Sequence, residues 1–270
     1  SPDSCDDLIC SCLDTDDLIR YALVCRDTYR TVTSYRARAF DIRRTLGPFF
    51  DDTEIIQLRR TLGTSGAVIS GSVAVQFFER RLFDGCDLDL YVERHTVSHV
   101  FAFLGGCGYA YRPNSGQPPT LQDVLNNGGS LCRDTSEDTS YAMRSICGVF
   151  NFARRSSPDT IIQVLVATHT VLDVILGFHS TVVMNIITHR AAYSFYPLDT
   201  FVKRVAWQSY DTTGCVAYAG IQKYRRRGWN IQEFDSEGGR DDRGCATTTA
   251  YRVAGDEFCW IVPFVEEHDA

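Results

Sequence analysis

The sequence predicts an α/β or α+β protein in which helices flank a mixed β-sheet and an N-terminal helical segment precedes the sheet. From Cys5 to about Leu62, apolar residues recur every three or four positions, as they do on one face of a helix. From Ala67 onward, short apolar runs alternate with helical segments. Hydrophobic residues make up 44% of the 270 residues and charged residues 23%, so the chain can bury a sizeable core.

Charge and cysteine usage limit the expected partners and compartment. Asp and Glu number 34 against 27 Lys and Arg, whereas non-specific binding to nucleic acid or to an anionic membrane needs a cationic surface. The 11 cysteines show neither a CxxC pair nor the spacing of a disulfide framework, which indicates the reducing cytoplasm or nucleus. No apolar stretch reaches the roughly 18 to 20 residues of a membrane span, so we expect no membrane partner.

Spacing and capping residues define the N-terminal helices. We expect a short amphipathic helix over residues 6–13 and, after a run of Asp and Thr side chains that cap helices, a second helix over about 18–32. A further helical segment over 34–46 ends at a Gly-Pro stop signal. The helix over 51–62 begins with acidic and ends with basic residues, as the helix dipole favours.

We divide the chain into an N-terminal helical unit over residues 1–48 and a mixed domain over 49–270. Polar stretches rich in Gly, Pro, Asn and Ser near 112–140 and 230–249 indicate flexible insertions in the second domain. The predicted strands cover 67–70, 88–92, 146–152, 161–167, a β-rich stretch over 178–188, and 257–265; the predicted helices after residue 62 cover 73–81, 95–104 and 172–176.

Residues suited to phosphate and metal chemistry concentrate around two adjacent elements. Gly71 allows close backbone approach, and Ser72 starts a helix whose free N–H groups can hold a phosphate. Asp87 and Asp89 lie two residues apart on a predicted strand, so their side chains project to the same side. Paired carboxylates suit Mg²⁺, which takes oxygen ligands. Together these residues predict a site for phosphoryl or nucleotidyl transfer.

The segment over residues 69–92, ISGSVAVQFFERRLFDGCDLDLYV, resembles the nucleotidyltransferase superfamily, which includes polymerase β and the CCA-adding enzymes. The resemblance implies a polymerase β-like fold and a nucleoside triphosphate as ligand. It also implies that Asp87 and Asp89 are the catalytic residues that bind Mg²⁺ or Mn²⁺. Gly71 and Ser72 would bind the nucleotide.

One position departs from the family pattern. The family carries a third carboxylate on a later neighbouring strand, here residues 160–166, where Gln163 is neutral and Asp159 comes just before. Losing one charge weakens metal binding and removes the group that would activate an attacking hydroxyl. We therefore expect a catalytically degenerate member that binds nucleotide or recognises a substrate. The alternatives are an active Mg²⁺-dependent transferase whose site another acid completes, and a scaffold in which Asp87 and Asp89 only solvate a strand end.

The segment over residues 7–30, DLICSCLDTDDLIRYALVCRDTYR, resembles an F-box, the helical module that docks on the Skp adaptor of cullin-RING ubiquitin ligases. This resemblance implies a Skp-type partner; the alternative is that these helices simply pack on the following domain. The two segments together resemble a group of fungal proteins that also share FHST-x-VMN and the Tyr-Pro-x-x-Thr-Phe segment over 196–201. That likeness covers roughly residues 5–230.

Three other features carry less weight. The basic run over 223–227 suits nucleotide phosphates or a nuclear address, but a solvated helix face is the commoner explanation. His179 beside Ser180 suggests a base and a nucleophile, but no elbow motif surrounds them, so we expect an interior histidine. Phe77 and Phe78 are expected in the core rather than as stacking platforms.

Overall fold

Five helices open the chain and precede the first strand. The computed structural model describes residues 5–126, 145–209, 215–233 and 252–264, and the fold is given for these residues. Asp14, Asp41 and Asp51 each accept a hydrogen bond from a backbone N–H at the start of the helix that follows, as expected of N-caps. The five helices are α1 (Cys5–Cys12), α2 (Thr15–Ala22), α3 (Arg26–Ala39), α4 (Ile42–Leu46) and α5 (Asp52–Ser65).

The predicted helix over 18–32 is wrong, because the chain breaks between α2 and α3. Cys25 is extended, with a φ of −159°, and its N–H donates to Thr28 Oγ1 at 3.1 Å, which starts a new helix. The new helix then continues through residue 33, where we expected a boundary between the helices over 18–32 and 34–46. It ends near Phe40, where Asp41 caps the short α4.

A mixed sheet flanked by helices forms the main body, which confirms the predicted fold class. Eight strands lie in the order β10-β7-β6-β1-β2-β5-β4-β3, and β8 pairs with β9 in a separate parallel ribbon. The described strands are β1 (Val68–Ser70), β2 (Leu88–Glu93), β3 (Tyr109–Arg112), β4 (Ile146–Arg154), β5 (Ser157–Ala167), β6 (Asn185–Ile187), β7 (Ala191–Ser194), β8 (Val205–Trp207), β9 (Asn230–Gln232) and β10 (Trp260–Pro263).

Further helices cover both faces of the sheet. One apolar core lies between one sheet face, the N-terminal helices, α6 and α7, while a second lies beneath α9 on the opposite face. A third core joins α6, α10 and the β8–β9 ribbon. These helices are α6 (Gly71–Glu79), α7 (Val97–Gly106), α8 (Leu121–Asn126), α9 (Val171–Leu176) and α10 (Cys215–Arg226).

The central strands position the residues at the candidate site. β2 pairs with β1 in antiparallel and with β5 in parallel orientation. Leu88, Leu90 and Val92 are fully buried and lie in the core. Because side chains alternate along a strand, the residues between them face the other side of the sheet. Asp89 lies on that other side.

Two predicted segments differ from the structure. The stretch over 178–188 contains only a one-turn 3₁₀ helix, Thr181–Val183, and the short β6, because Asn185 Nδ2 donates to Val182 O and closes the turn. The terminal strand begins at Trp260 rather than 257, because the Asp256 carboxylate accepts from Phe258 N–H and holds a turn there.

Both predicted insertions begin with ordered elements. β3 ends at Arg112 and α8 lies within 112–140, while β9 opens the stretch over 230–249. The remaining parts, 127–140 and 234–249, lie outside the described residues. Within the described ranges, no helix is both long and apolar enough to cross a membrane.

The N-terminal helices share a core with the sheet. Cys10, Leu18 and Val32 are buried in the same cluster as α6, α7 and the central strands. Arg80, just after α6, donates to Leu13 O at 2.8 Å across this junction. The helices therefore pack on the following domain, and the division at residue 48 stays a prediction.

Candidate functional site

The turn between β1 and α6 brings backbone against a carboxylate. Gly71 has a φ of +67°, a left-handed conformation that favours glycine. A Cβ at this position would overlap Asp89 Oδ2, closer than real Cβ atoms approach an oxygen. Gly71 is therefore required twice, by its backbone conformation and by the close approach of Asp89. The predicted Gly-Ser and Asp-x-Asp pieces lie in contact.

The two aspartates form a negative pair at the edge of the sheet. Asp89 lies in β2 and is half-buried, whereas Asp87 precedes the strand and is exposed. Burial, and after it the charge of Asp87, raise the pKa of Asp89 to about 7 against the opposing charge of Lys223. Burial also raises the pKa of Asp87, again against Lys223. A bound cation would favour the ionised form of both carboxylates.

The last turns of α10 contact the first turn of α6. Lys223 Nζ donates to Ser72 Oγ at 3.0 Å, and the Tyr224 hydroxyl donates to the same oxygen at 3.3 Å. Lys223 belongs to the basic run for which we expected a solvated helix face. Lys223, Arg225 and Arg226 are all exposed, as expected, and Lys223 in addition contacts the site.

The N-terminus of α6 has no side-chain cap. Ser70 occupies the N-cap position, but its Oγ donates to Asn185 O at 2.6 Å instead of accepting from the helix. The first N–H groups of α6 thus lie beside Ser72 Oγ and the Lys223 ammonium group. Free helix N–H groups together with an ammonium group are donors suited to phosphate oxygens.

β5 places Gln163 in register with Asp89. The two residues are paired in the parallel β2–β5 ladder, so both side chains face the same side of the sheet. Asp159 is part of β5 rather than preceding it, and at 3.3 Å per residue it lies about 13 Å along the strand from Gln163. Across the described residues, no three His, Cys, Asp or Glu side chains gather as metal ligands.

A polar row crosses four neighbouring strands at this level. Ser70 on β1 pairs with Asp89 on β2, which pairs with Gln163 on β5, which pairs with Asn151 on β4. Asn151 Nδ2 donates to Asn114 Oδ1 at 2.9 Å. Beyond Asp89, the row therefore continues with neutral amides in place of acids.

His179 and Ser180 form a buried pair beside α10. Their Nδ1 and Oγ atoms are 2.8 Å apart, but Ser180 is fully buried, which keeps its hydroxyl from an external substrate. Burial, and after it the charge of Lys223, lower the pKa of His179 to about 4. A Cβ on Gly220 would overlap the His179 ring. His179 thus packs closely on α10, in agreement with the interior histidine that we expected.

The aromatic residues of α6 are in the core, as predicted. Phe77 and Phe78 are almost fully buried, and Phe78 packs against Trp260 with ring centroids 5.0 Å apart. They leave the first turn of the helix as the part that faces the site.

The assembled site holds two carboxylates, an ammonium group and free helix N–H groups. Such a set binds a divalent cation and a phosphate side by side, because the cation takes the carboxylate oxygens and the donors take the phosphate oxygens. The sequence pointed to Gly71, Ser72, Asp87 and Asp89, and the structure brings them together with Lys223. No protein-family model, curated protein or solved structure matches this chain.

Proposed function

We propose that this chain binds a nucleoside triphosphate with Mg²⁺ or Mn²⁺ and that it is a degenerate nucleotidyltransferase. One observation carries the proposal: the Asp89 carboxylate lies against Gly71, and Lys223 contacts Ser72 one residue further on. A metal ligand and a phosphate cradle are therefore adjacent.

The charges at the site fit a metal–phosphate complex. Asp87 and Asp89 would hold the metal, which neutralises phosphate charge when it is bound. The pKa of Asp89 is raised mainly by burial and also by the charge of Asp87, and Lys223 offsets this rise only in part. Lys223 and the first N–H groups of α6 would hold phosphate oxygens.

The amide at Gln163 argues for binding without efficient transfer. It faces the same side of the sheet as Asp89, where a carboxylate would add charge to the metal site and accept the proton of an attacking hydroxyl. An amide can hydrogen-bond a hydroxyl, but it neither adds charge to the metal site nor accepts the proton. The protein would then hold its ligand with the reaction suppressed.

Calorimetric titration of MgATP and MnATP, together with the other triphosphates, tests this function. We expect binding by the wild-type protein and a loss of roughly tenfold or more in Asp87→Asn/Asp89→Asn. Asp159→Asn, which removes a charge about 13 Å along β5 from Gln163, is the matched control. Absence of binding by folded wild-type protein would refute the proposal, and binding unchanged in the double variant would favour a scaffold.

Release of pyrophosphate, measured beside the calorimetric titration, separates a degenerate protein from an active enzyme. Gln163→Glu is nearly isosteric and adds a carboxylate in register with Asp89. We expect it to bind MnATP more tightly and to raise release of pyrophosphate above the wild-type level. Gln163→Met, which keeps the length without the charge, should do neither. Wild-type turnover that Gln163→Glu does not improve would instead support an active enzyme.

A second candidate function rests on the surface of α1 and α2. Cys10 and Leu18 face the core, but apolar side chains also cover the outer side of these helices. Among them, Leu23 is 79% and Val24 71% exposed. The exposed set is Leu8, Ile9, Ile19, Leu23, Val24 and Tyr29.

We propose, as this second function, that the exposed set docks a Skp-type ubiquitin-ligase adaptor. Exposed apolar side chains that cluster on one segment are typical of protein interfaces. Calorimetry with a purified Skp-type adaptor tests it, and Leu23→Asp/Val24→Asp should abolish binding without unfolding the protein. The Asp87→Asn/Asp89→Asn protein should bind the adaptor normally. An adaptor that binds neither protein would leave nucleotide binding as the function.

A further inference from the structure

The loop between α6 and β2 delivers Asp87 to the site and is held at two points. Residues 80–87 join the two elements, with Asp87 as the last residue before β2. The first point of attachment lies on α6 itself. The buried side chain of Gln76 accepts a hydrogen bond from Phe83 N–H at 2.8 Å.

Arg227, at the end of α10, provides the second point. Its guanidinium carbon lies 4.1 Å from the centroid of the Phe83 ring and 5.3 Å from that of Tyr224. Its Nη2 donates to Cys86 Sγ at 3.3 Å. Arg227 therefore contacts the loop four residues before Asp87 and again at the residue next to it.

One helix thus connects both halves of the site. Arg227 directly follows α10, and its backbone N–H donates to Lys223 O at 3.3 Å, so the helical turn continues and the two residues lie on the same side. Lys223 contacts Ser72 at the phosphate cradle, and Arg227 contacts the loop that carries Asp87. The distance between cradle and carboxylate is set through this turn of α10.

The environment of Arg227 argues against a role in stability alone. Its Nη1 is buried and has no hydrogen-bond partner among the residues that the structure describes, which is unfavourable for the folded state. Exposed arginines such as Arg226 show that the same helix accommodates the residue without this penalty.

We propose that Arg227 is a positioning residue, which fixes residues 83–87 against α10 and so keeps Asp87 beside Asp89 and Lys223. The inference rests on the proposed binding of a metal–nucleotide at this site. In this role Arg227 acts through its contacts with Phe83 and Cys86.

Two measurements on Arg227→Met test the proposal. The first is the rate at which iodoacetamide alkylates Cys86, followed at that peptide by mass spectrometry, which reports whether the loop is held. The second is the affinity for MnATP. We expect alkylation about tenfold faster and binding about tenfold weaker, the size of effect that supporting residues exert on metal sites.

Two further variants show that the effect belongs to the guanidinium group. Arg227→Lys keeps the charge but loses the planar fork, so it should fall between wild type and Arg227→Met in both measurements. Arg226→Met, on the exposed side of the helix, should change neither. If Arg227→Met does not fold, Phe83→Leu, which removes the ring beneath the guanidinium group, takes its place.

Unchanged alkylation of Cys86 in Arg227→Met would overturn the inference. Faster alkylation with unchanged MnATP affinity would also overturn it, since the loop would then be free without effect on the site. Should the wild-type protein bind no MnATP, the proposed function fails, and the alkylation rate alone decides whether Arg227 holds the loop.

Discussion

Gly71 is subject to two constraints, and only one of them applies to Gly66. Gly71 and Gly66 have almost the same backbone conformation, with φ of +67° and +68°. At Gly66 an added Cβ would meet open space, whereas at Gly71 it would overlap Asp89 Oδ2. Comparison of the two positions therefore distinguishes the cost of the backbone conformation from the displacement of the carboxylate.

We expect Gly66→Ala to lower the free energy of unfolding by about 1 kcal/mol, the cost of left-handed backbone for an L-residue. Gly71→Ala should lower it further and weaken MnATP binding roughly tenfold or more, because Asp89 must move. Chemical denaturation and calorimetry measure the two effects. Equal destabilisation, with MnATP affinity intact in both variants, would show that the Asp89 carboxylate does not depend on Gly71.

The proposed binding of metal at Asp89 should depend on pH. Its pKa of about 7 means that a proton competes with the cation below neutral pH. We expect MnATP affinity to fall by up to about tenfold per pH unit below pH 7 and to level off above it. The nucleotide also titrates in this range, so the Asp89→Asn protein, measured with the same ligand, supplies the baseline.

Asp89 also makes the stability of the metal-free protein depend on pH. The folded state binds the Asp89 proton more tightly than the unfolded state, whose pKa is near 3.8. Asp89 therefore favours folding at low pH, and this contribution is lost as the pH rises through about 7. Equal pH slopes in the wild-type and Asp89→Asn proteins, for binding and for stability alike, would contradict the raised pKa.

At the scale of elements, α10 brings a cation to the turn after β1. Lys223 lies 151 residues from Ser72 along the chain, yet the two side chains are hydrogen-bonded. Its charge lowers the pKa of both site carboxylates and of His179. The helix thus contributes charge to the site as well as packing against it.

We expect Lys223→Met to weaken binding of inorganic tripolyphosphate about tenfold, because a charge-assisted hydrogen bond is worth roughly 1.5 to 3 kcal/mol. The pKa of Asp89 should rise in the same variant, since Lys223 lowers it. Calorimetry and its pH dependence measure both effects. Arg226→Met removes an exposed charge from the same helix, and an equally large effect there would mean that only net charge matters.

The parts of the site that could be predicted are local in sequence. Gly71, Ser72, Asp87 and Asp89 lie within 24 residues, and two-residue alternation along a strand orients the aspartates. Lys223 could not be assigned in this way, because its contact depends on how a distant helix docks. Its one signal was compositional: it is one of only two lysines in the chain.

Helix boundaries could likewise be predicted only where their signals are local in sequence. Asp51 and Glu54 form a capping box that the sequence displays, and α5 begins where expected. The break before Arg26 depends instead on Cys25 and Thr28, with neither glycine nor proline to mark it. Apolar spacing continues across that break, so periodicity predicted one helix where two are present.

At the scale of the whole molecule, the N-terminal helices and the sheet are joined by one core. Leu18 is 2% exposed and belongs to the cluster that includes α6 and the central strands, whereas Leu23 on the same segment is 79% exposed. Arg80 bridges the two parts, donating to Leu13 O at 2.8 Å and to the Tyr35 hydroxyl at 3.0 Å. The helices that would dock an adaptor therefore also pack against the elements that carry the candidate site.

This shared core predicts that the chain unfolds as one cooperative unit. Leu18→Ala should lower its free energy of unfolding by about 2 to 5 kcal/mol, the range for a buried leucine, while Leu23→Ala should change it by less than about 0.5 kcal/mol. Denaturation followed by far-ultraviolet circular dichroism and by tryptophan fluorescence should give one coincident transition in each protein. All three tryptophans lie after residue 206, so fluorescence reports on the sheet side of the molecule. If Leu18→Ala shifted only the circular dichroism signal, the helices would unfold separately, and the division at residue 48 would mark two independent domains.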